Sequence, residues 1–187
     1  RGESGIIYCF SQKSTESLAN KLQKVGLRAL PYHAGMDPAR RAETQEGFIK
    51  NDIDIVVATI AFGMGIDKPD IRFVIHYDLP KNMETYSQET GRAGRDGLRS
   101  DCILFFGYGD TKKIEYLIGQ GNDEEQKRIS YVKLQDMVNF CDSHECRRRA
   151  LLGYFGEAYE EDNCGSCDNC CQAPRRDLTG RRWPRRF

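Results

Sequence analysis

The sequence has little that would carry the chain into or through a membrane. No apolar run among its 187 residues is long enough to span a bilayer. The first residues are polar and lead directly into a predicted strand, and they do not show the pattern of a secretory signal peptide. The formal net charge is zero, because 28 basic residues balance 28 acidic ones. We therefore expect no membrane partner, and the chain as a whole creates no field that would select a polyanion.

The sequence also lacks two signatures of nucleotide binding. A phosphate-binding loop would read G-x4-G-K-[ST], and no such string occurs. No apolar strand ends in an acidic pair that would hold magnesium, since Asp123, Glu124 and Glu125 follow a glycine-rich break. These absences exclude a self-contained P-loop ATPase.

Cysteine, by contrast, is abundant, with eight residues. Four of them fall within residues 164–171, and this crowding favours a metal site over the disulfide framework of a secreted protein. Cys164, Cys167 and Cys170 place three thiols on a tight loop, whereas a closed tetrahedral site needs four ligands. Cys146 is the candidate for the fourth ligand.

Two alternatives remain open at this cluster. An iron–sulfur cluster also uses the spacing C-x2-C-x2-C, although the x3-Cys-Pro continuation of a ferredoxin is absent. The other residues near enough to compete as ligands are Cys171, Cys141 and His144. Cys9 and Cys102 fall in apolar runs, and we interpret them as small core residues.

Short apolar runs alternate with helical patterns over residues 1–120. We predict strands over residues 6–10, 27–32, 53–58, 73–76 and 102–106. Helices are predicted over residues 14–25, 37–50 and 83–91, and a further helix begins at Asp110. This alternation implies an α/β fold with a parallel sheet, flanked by helices and joined by right-handed crossovers.

The pattern changes near residue 121. Residues 124–140 and 144–155 are predicted to form two helices with no strand between them, so residues 121–172 form a small helical subdomain that carries the cysteines. Residues 173–187 hold six arginines and one aspartate, a net charge of +5. A basic tail of this kind is typical of nucleic-acid binding and equally of a solvated, disordered end. The apolar residues interpreted as core of the subdomain are Leu151, Leu152, Tyr154 and Phe155.

The most informative stretch is QETGRAGRDG at residues 88–97. It places Arg92 and Arg95 three residues apart among glycines, which let the backbone approach a ligand closely. Arginine presents a planar fork of donors that matches phosphate oxygens and keeps its charge. Taken alone, the stretch would be an ordinary solvated turn, but it also fits an arginine finger that stabilises a transferring phosphoryl group.

Other stretches extend this interpretation. Residues 4–9 read SGIIYC, residues 57–69 read VATIAFGMGIDKP, and residues 32–35 read YHAG. Together with residues 88–97 and the cysteine cluster, they resemble motifs IV, V and VI and the zinc module of the RecQ family of ATP-dependent DNA helicases. The resemblance runs from about Ser4 to Cys171 and does not extend to residues 173–187.

The resemblance implies that residues 1–120 form the second RecA-like lobe of a helicase motor. Arg92 and Arg95 would then point at the γ-phosphate of ATP, and Gln88 would help to couple nucleotide to nucleic acid. Asp67 and Gly65 resemble the nucleotide side of motif V, although Asp67 fits equally well as a turn residue.

The resemblance also implies a path for DNA. Thr59 ends a strand, and its hydroxyl and the nearby amides are suited to phosphate contacts. Gly63 would let the backbone approach DNA, as would Gly65. His33 resembles a family position near the DNA path, although a lone histidine is more often a satisfied loop residue.

In the RecQ family four cysteines hold a structural zinc, and the matching residues here are Cys146, Cys164, Cys167 and Cys170. The whole enzyme would move 3′ to 5′ along single-stranded DNA to a duplex junction, in DNA repair or recombination, in the cytoplasm (nucleoid) or the nucleus. Its ATP and Mg²⁺ would be held by an N-terminal RecA-like lobe that this sequence lacks, and the chain alone would be inactive. The alternative is a stand-alone zinc-containing module that binds nucleic acid or a partner without enzymatic activity.

Overall fold

The computed structural model describes residues 2–59, 62 and 66–171, which form two compact units. The first unit comprises the chain up to Pro80 together with Tyr86–Phe106, and the second comprises Lys81–Thr85 and the chain from Gly107. The predicted basic tail, Gly63 and Gly65 lie outside the described residues. Within the part of the chain that is described, no helix combines the length and apolarity needed to cross a bilayer.

The first unit is built on a parallel sheet of five strands in the order β2-β3-β1-β4-β5. The strands are β1 (Gly5–Tyr8), β2 (Ala29–Tyr32), β3 (Ile55–Ala58), β4 (Phe73–His76) and β5 (Asp101–Leu104). The helices that connect them are α1 (Gln12–Lys24), α2 (Pro38–Ile49) and α3 (Met83–Thr90). The α/β class and the parallel sheet flanked by helices are thus confirmed.

Both faces of the central strands are buried, as expected where helices cover a parallel sheet on both sides. Successive strand residues alternate between two apolar clusters. Ile6 and Val56 pack with Phe48 and Phe62 on one face. The cluster on the other face comprises Ile7, Cys9, Ala19, Ala29, Ile55 and Val57.

Local capping accounts for the points at which these helices begin. The Ser11 hydroxyl accepts a hydrogen bond from the Ser14 amide at the start of α1, and Asp37 caps α2 with Pro38 in its first turn. The Asn82 side chain accepts from the Thr85 amide at the start of α3. Such caps satisfy amides that have no partner within the helix.

The second unit is helical among the residues described. It contains α4 (Tyr108–Gly119), α5 (Glu124–Asp142) and α6 (Arg147–Tyr154), followed by the cysteine loop. Helix α6 begins at Arg147, later than predicted, because Cys146 occupies its N-cap position. The apolar residues interpreted as core are less buried than expected: Leu151, Leu152 and Tyr154 are half-buried, and Phe155 is exposed.

Cys102 also differs from its interpretation as a core residue. It lies on β5, the edge strand of the sheet, and is exposed, whereas Cys9 next to β1 is buried. An edge strand has a neighbour on one side only, so an apolar run in the sequence does not guarantee burial there. The division into a lobe of residues 1–120 and a subdomain of residues 121–172 stays a prediction about independent folding.

Candidate nucleotide and metal sites

The arginine-bearing loop that follows α3 is fixed to the segment before β4. The Gly94 amide donates to the Ile71 carbonyl at 2.9 Å, and the Asp96 amide donates to the Pro69 carbonyl at 3.2 Å. Gly94 has a φ of 64°, and a Cβ atom there would lie 2.8 Å from the Leu98 carbonyl oxygen. Glycine is therefore required at this position, both by the backbone conformation and by the space available.

Arg72 is a further anchor of this loop, and the sequence patterns gave no sign of it. Its guanidinium donates to both carboxylate oxygens of Asp96, at 2.6 and 2.7 Å, and to the Arg99 carbonyl at 3.1 Å. The hydrogen bond from Arg72 is the main reason that the pKa of Asp96 lies below its usual value. The two residues are far apart in sequence, so no local pattern signals their pairing.

Arg95 presents its guanidinium at the surface of the loop. The side chain is 43% exposed, and its nearest carboxylate is that of Asp67, with 3.7 Å between Nη1 and Oδ1. The Nε atom donates to the Gly91 carbonyl at 3.3 Å, which orients the fork. Because Asp67 is 93% exposed, this ion pair is weak.

Arg92 is placed differently from Arg95. It is only 8% exposed and lies in the interior of the first unit. Its charge acts on the buried hydroxyl of Tyr8, to which it also forms a hydrogen bond. The structure therefore separates two arginines that the sequence motif presents as equivalent: one is turned inward and the other outward.

The remaining predicted residues of the first unit differ in their exposure. Gln88 on α3 is exposed, and Thr59 directly after β3 is half-buried. The Thr59 amide donates to the Tyr32 carbonyl at 3.2 Å. His33 is buried, with 3.1 Å between its Nε2 atom and Glu16 Oε1, and its contact with DNA stays a prediction.

Motif V is anchored by a lysine that the sequence patterns did not single out. Lys68 is buried, and its Nζ atom donates to the Asn51 side chain at 2.7 Å and lies 3.0 Å from Asp70. The ammonium also sits over the Phe48 ring, 5.3 Å from its centroid. These contacts hold the end of motif V against the turn that follows α2.

The second unit brings four thiols together. The Sγ atoms of Cys146, Cys164, Cys167 and Cys170 all lie within 4.8 Å of one another, and these are the four residues expected from the resemblance. Cys146 is buried at the start of α6, and the other three lie on the loop after it. Among the residues that the structure describes, Cys171 is exposed and is not part of this group.

Backbone amides point at the sulfur atoms. The Cys167 amide donates to Cys164 Sγ, the Cys170 amide to Cys167 Sγ, and the Arg147 amide also to Cys167 Sγ, each at 3.4 Å. Hydrogen bonds of this kind favour the thiolate over the thiol. Four soft sulfur donors in a closed group fit zinc or an iron–sulfur cluster.

The surroundings of Cys164 and Cys170 shift their thiol pKa values in opposite directions. Burial raises the pKa of Cys164, but hydrogen bonds from the Ser166 side chain and from nearby amides outweigh it and lower that pKa to about 6. At Cys170 an amide hydrogen bond lowers the pKa, but burial and the neighbouring thiols raise it to about 12. A bound metal would favour the deprotonated thiols, because the thiolate is the form that coordinates a metal.

Polar side chains join the cysteine loop to the helices that carry Cys146. Arg147 forms a salt bridge with Asp168, with Nε and Oδ1 2.9 Å apart. The side-chain Nδ2 atom of Asn169 donates to the backbone carbonyls of Ser143 and Glu145, at 2.9 and 2.6 Å. The region of Cys146 and the cysteine loop are thus held together by polar side chains.

Comparison with known proteins identifies both units. Residues 1–97 match the model of the helicase conserved C-terminal domain, and residues 108–171 match the RecQ zinc-binding model. The chain therefore belongs to the RecQ family of helicases, which confirms the resemblance seen in the motifs.

Individual relatives agree with this assignment. The chain is 48% identical over 174 residues to ATP-dependent DNA helicase Q1 of Rattus norvegicus, covering 92% of this chain and 27% of that protein. It is 45% identical over 170 residues to ATP-dependent DNA helicase RecQ of Bacillus subtilis, covering 91% of this chain and 29% of that protein. The chain thus spans about a quarter of the length of these curated relatives.

A solved structure supports the fold. A DEAD box protein from Methanococcus jannaschii superposes with a TM-score of 0.53 at 31% identity, over 62% of this chain and 32% of that one.

Proposed function

We propose that this chain provides the second RecA-like lobe and the zinc module of a RecQ-type ATP-dependent DNA helicase that moves 3′ to 5′. The observation that carries the proposal is the motif VI loop, in which Arg95 is exposed and oriented while Arg92 is buried beneath it. The helicase activity of relatives such as ATP-dependent DNA helicase RecQ agrees with it.

In this proposal Arg95 acts as the arginine finger. A guanidinium that faces the γ-phosphate stabilises the negative charge of the transition state. This stabilisation is large only when the guanidinium is already in position before the reaction. The Gly91 carbonyl and the Arg72–Asp96 anchor provide that positioning. Arg92 would support the loop from the interior of the lobe through its contact with Tyr8. Gln88, which is exposed on α3, would help to couple nucleotide to nucleic acid.

ATP and Mg²⁺ would be held mainly by a first RecA-like lobe, because this sequence has neither a phosphate-binding loop nor a metal-binding acidic pair. Closure of two lobes around nucleotide would bring Arg95 to the phosphate. Asp67 at the end of motif V would then exchange its weak pairing with Arg95 for contacts to the nucleotide or the other lobe.

The zinc module has a structural role in this proposal. Cys146, Cys164, Cys167 and Cys170 would hold one zinc ion in a closed tetrahedral site, which has no open position for catalysis. When bound, the ion stabilises the fold of a small unit in which α6 buries none of its own residues completely. The amides that donate to the sulfurs compensate part of the thiolate charge.

The first test is ATP hydrolysis by the chain alone and after fusion to a first lobe, such as that of the Bacillus subtilis relative. We expect negligible hydrolysis from the purified 187-residue chain, because it lacks the groups that cradle phosphate and metal. The fused protein should hydrolyse ATP and respond to single-stranded DNA. Release of phosphate, with and without DNA, measures both.

Robust, DNA-stimulated turnover by the chain alone would contradict the proposal. If the fused protein is folded and loaded with zinc but remains inactive, the alternative of a non-enzymatic binding module is favoured. Unwinding of a duplex with a 3′ single-stranded tail, compared with one that has a 5′ tail, then tests the direction of movement.

DNA binding by the chain alone should be weak, sensitive to salt and insensitive to sequence. The proposed contacts are Thr59 and the backbone of motif V, which address phosphates and therefore carry no base information. For single strands, the logarithm of the binding constant falls with the logarithm of salt by about 0.7 per phosphate neutralised. Removal of residues 173–187 should reduce this slope, since six arginines are lost with them.

Binding to two unrelated single strands across a salt series, with and without residues 173–187, tests this expectation. Tight binding that survives high salt, or a strong preference for one sequence, would show that the chain contains a dedicated recognition surface. An unchanged slope after truncation would show that the basic tail does not contact DNA.

A further inference from the structure

A buried polar cluster lies beneath the arginine loop. Tyr8 at the end of β1 and His76 at the end of β4 occupy paired positions on neighbouring parallel strands. Both side chains are buried, and their rings stack with centroids 5.4 Å apart and an angle of 23° between the planes. Paired residues of parallel strands point to the same face of the sheet, so the two rings share one environment.

The cluster reaches motif VI through Glu89. His76 Nε2 and Glu89 Oε2 are 2.7 Å apart, so the ring and the carboxyl group share a hydrogen bond. Glu89 lies in the last turn of α3, and its carbonyl accepts a hydrogen bond from the Arg92 amide at 3.3 Å. Glu89 and Arg92 are both buried, so each charge requires partners within the protein.

The Tyr8 hydroxyl reaches motif V as well. It donates a hydrogen bond to the Phe62 carbonyl oxygen at 3.3 Å. Burial and the Glu89 charge raise the pKa of Tyr8, whereas the charge of Arg92 and a hydrogen bond from it act in the opposite direction. The phenol therefore stays protonated, donates a hydrogen bond to the Phe62 carbonyl and accepts one from Arg92. One hydroxyl joins the main chain of motif V to the first arginine of motif VI.

We propose that the Tyr8 hydroxyl couples motif V, assigned to DNA contact, to motif VI, assigned to nucleotide contact. This inference rests on the proposed function of the two motifs. Tyr8 is fixed by its strand and by the stacked His76 ring. A shift of the Phe62 carbonyl must therefore either break its bond to Tyr8 or be passed on to Arg92, because a packed interior does not deform continuously.

The test is Tyr8→Phe in the protein that joins this chain to a first lobe. The change removes the hydroxyl and leaves the stacked ring. We expect basal ATP hydrolysis and single-strand affinity to stay near wild type. The factor by which saturating DNA stimulates kcat should fall by about tenfold, within the range of about 5 to 150-fold that is typical of coupling between sites.

Tyr32→Phe is a matched control. Its ring packs edge-on against the same Phe62 ring, with centroids 4.6 Å apart, and Tyr32 does not belong to the cluster around Arg92. Removal of this hydroxyl should leave DNA stimulation unchanged. A general loosening around Phe62 would instead affect both variants equally and would overturn the proposal.

Two failures can be told apart. If the wild-type enzyme is stimulated by DNA and Arg95→Ala is inactive, normal stimulation in Tyr8→Phe overturns the coupling and leaves the proposed function standing. If the wild-type enzyme shows no stimulation, the proposed function falls and the coupling falls with it. Should Tyr8→Phe fail to fold, Tyr8→Met replaces it, because it also removes the hydroxyl and fills the site with a flexible apolar side chain: a wild-type stimulation factor in that variant overturns the proposal, and a similar loss supports it.

Discussion

Arg95→Ala, in a protein that joins this chain to a first lobe, is expected to lower kcat for ATP hydrolysis by about 10³-fold or more, the scale of an arginine finger. The guanidinium is exposed, oriented by the Gly91 carbonyl and only weakly paired with Asp67. Nucleotide affinity should change much less, because the charge that Arg95 stabilises develops in the transition state. Steady-state hydrolysis and equilibrium binding of a nucleotide analogue separate the two effects.

Arg99→Ala provides the matched control for this variant. Arg99 lies four positions further along the same segment, and its side chain is 92% exposed, so its loss should leave kcat unchanged. Arg95→Lys keeps the charge but loses the planar fork and should recover only part of the activity. Near-normal turnover in Arg95→Ala would mean that this arginine is structural.

Arg92→Ala should also reduce hydrolysis, but for a different reason. Its loss removes the hydrogen bond to the buried Tyr8 hydroxyl, a change that typically costs about 1–3 kcal/mol of folding free energy. Thermal unfolding should therefore distinguish the variants: Arg92→Ala lowers the unfolding temperature, and Arg95→Ala leaves it nearly unchanged. Equal unfolding temperatures would contradict the buried role assigned to Arg92.

The second large effect is expected at the cysteine cluster. Cys164→Ser or Cys167→Ser should abolish stoichiometric zinc binding and unfold the segment after residue 121, because structural zinc contributes about 10–16 kcal/mol of apparent binding free energy that becomes folding free energy. The first unit, up to Pro80 and over Tyr86–Phe106, should keep its fold, since its core belongs to the sheet. Metal analysis and limited proteolysis report the two consequences.

Cys171→Ser is the matched control, because Cys171 is adjacent to a ligand but exposed and outside the sulfur group. It should bind zinc as the wild type does. Iron in place of zinc, or less than one zinc per chain in protein purified without chelator, would contradict the metal assignment. Protease digestion that removes both units together would contradict their independence.

Much of the fold follows from short-range patterns in the sequence. Asp37 and Pro38 mark the start of α2, Asn82 marks the start of α3, and apolar runs mark the buried strands. The four thiols could be identified because cysteines spaced so closely on a tight loop are typical of a metal site. These features depend on neighbours along the chain, which a single sequence displays.

What the sequence did not reveal depends on contacts between distant residues. Arg72 pairs with Asp96, and Lys68 with Asn51, through a tertiary structure that no local pattern encodes. The motif also presents Arg92 and Arg95 alike, but the fold buries Arg92 against Tyr8 and leaves Arg95 exposed. The exposure of Cys102 on the edge strand could not be predicted for the same reason.

The anchoring of the arginine loop limits how far this site can be transplanted. A designer who grafts residues 88–97 onto another helicase lobe would carry over both arginines and Gly94. The graft would leave behind Arg72 and the Ile71 carbonyl, which hold the loop in place. A graft that keeps the loop in place therefore needs two separate segments: residues 88–97 and the segment that leads into β4.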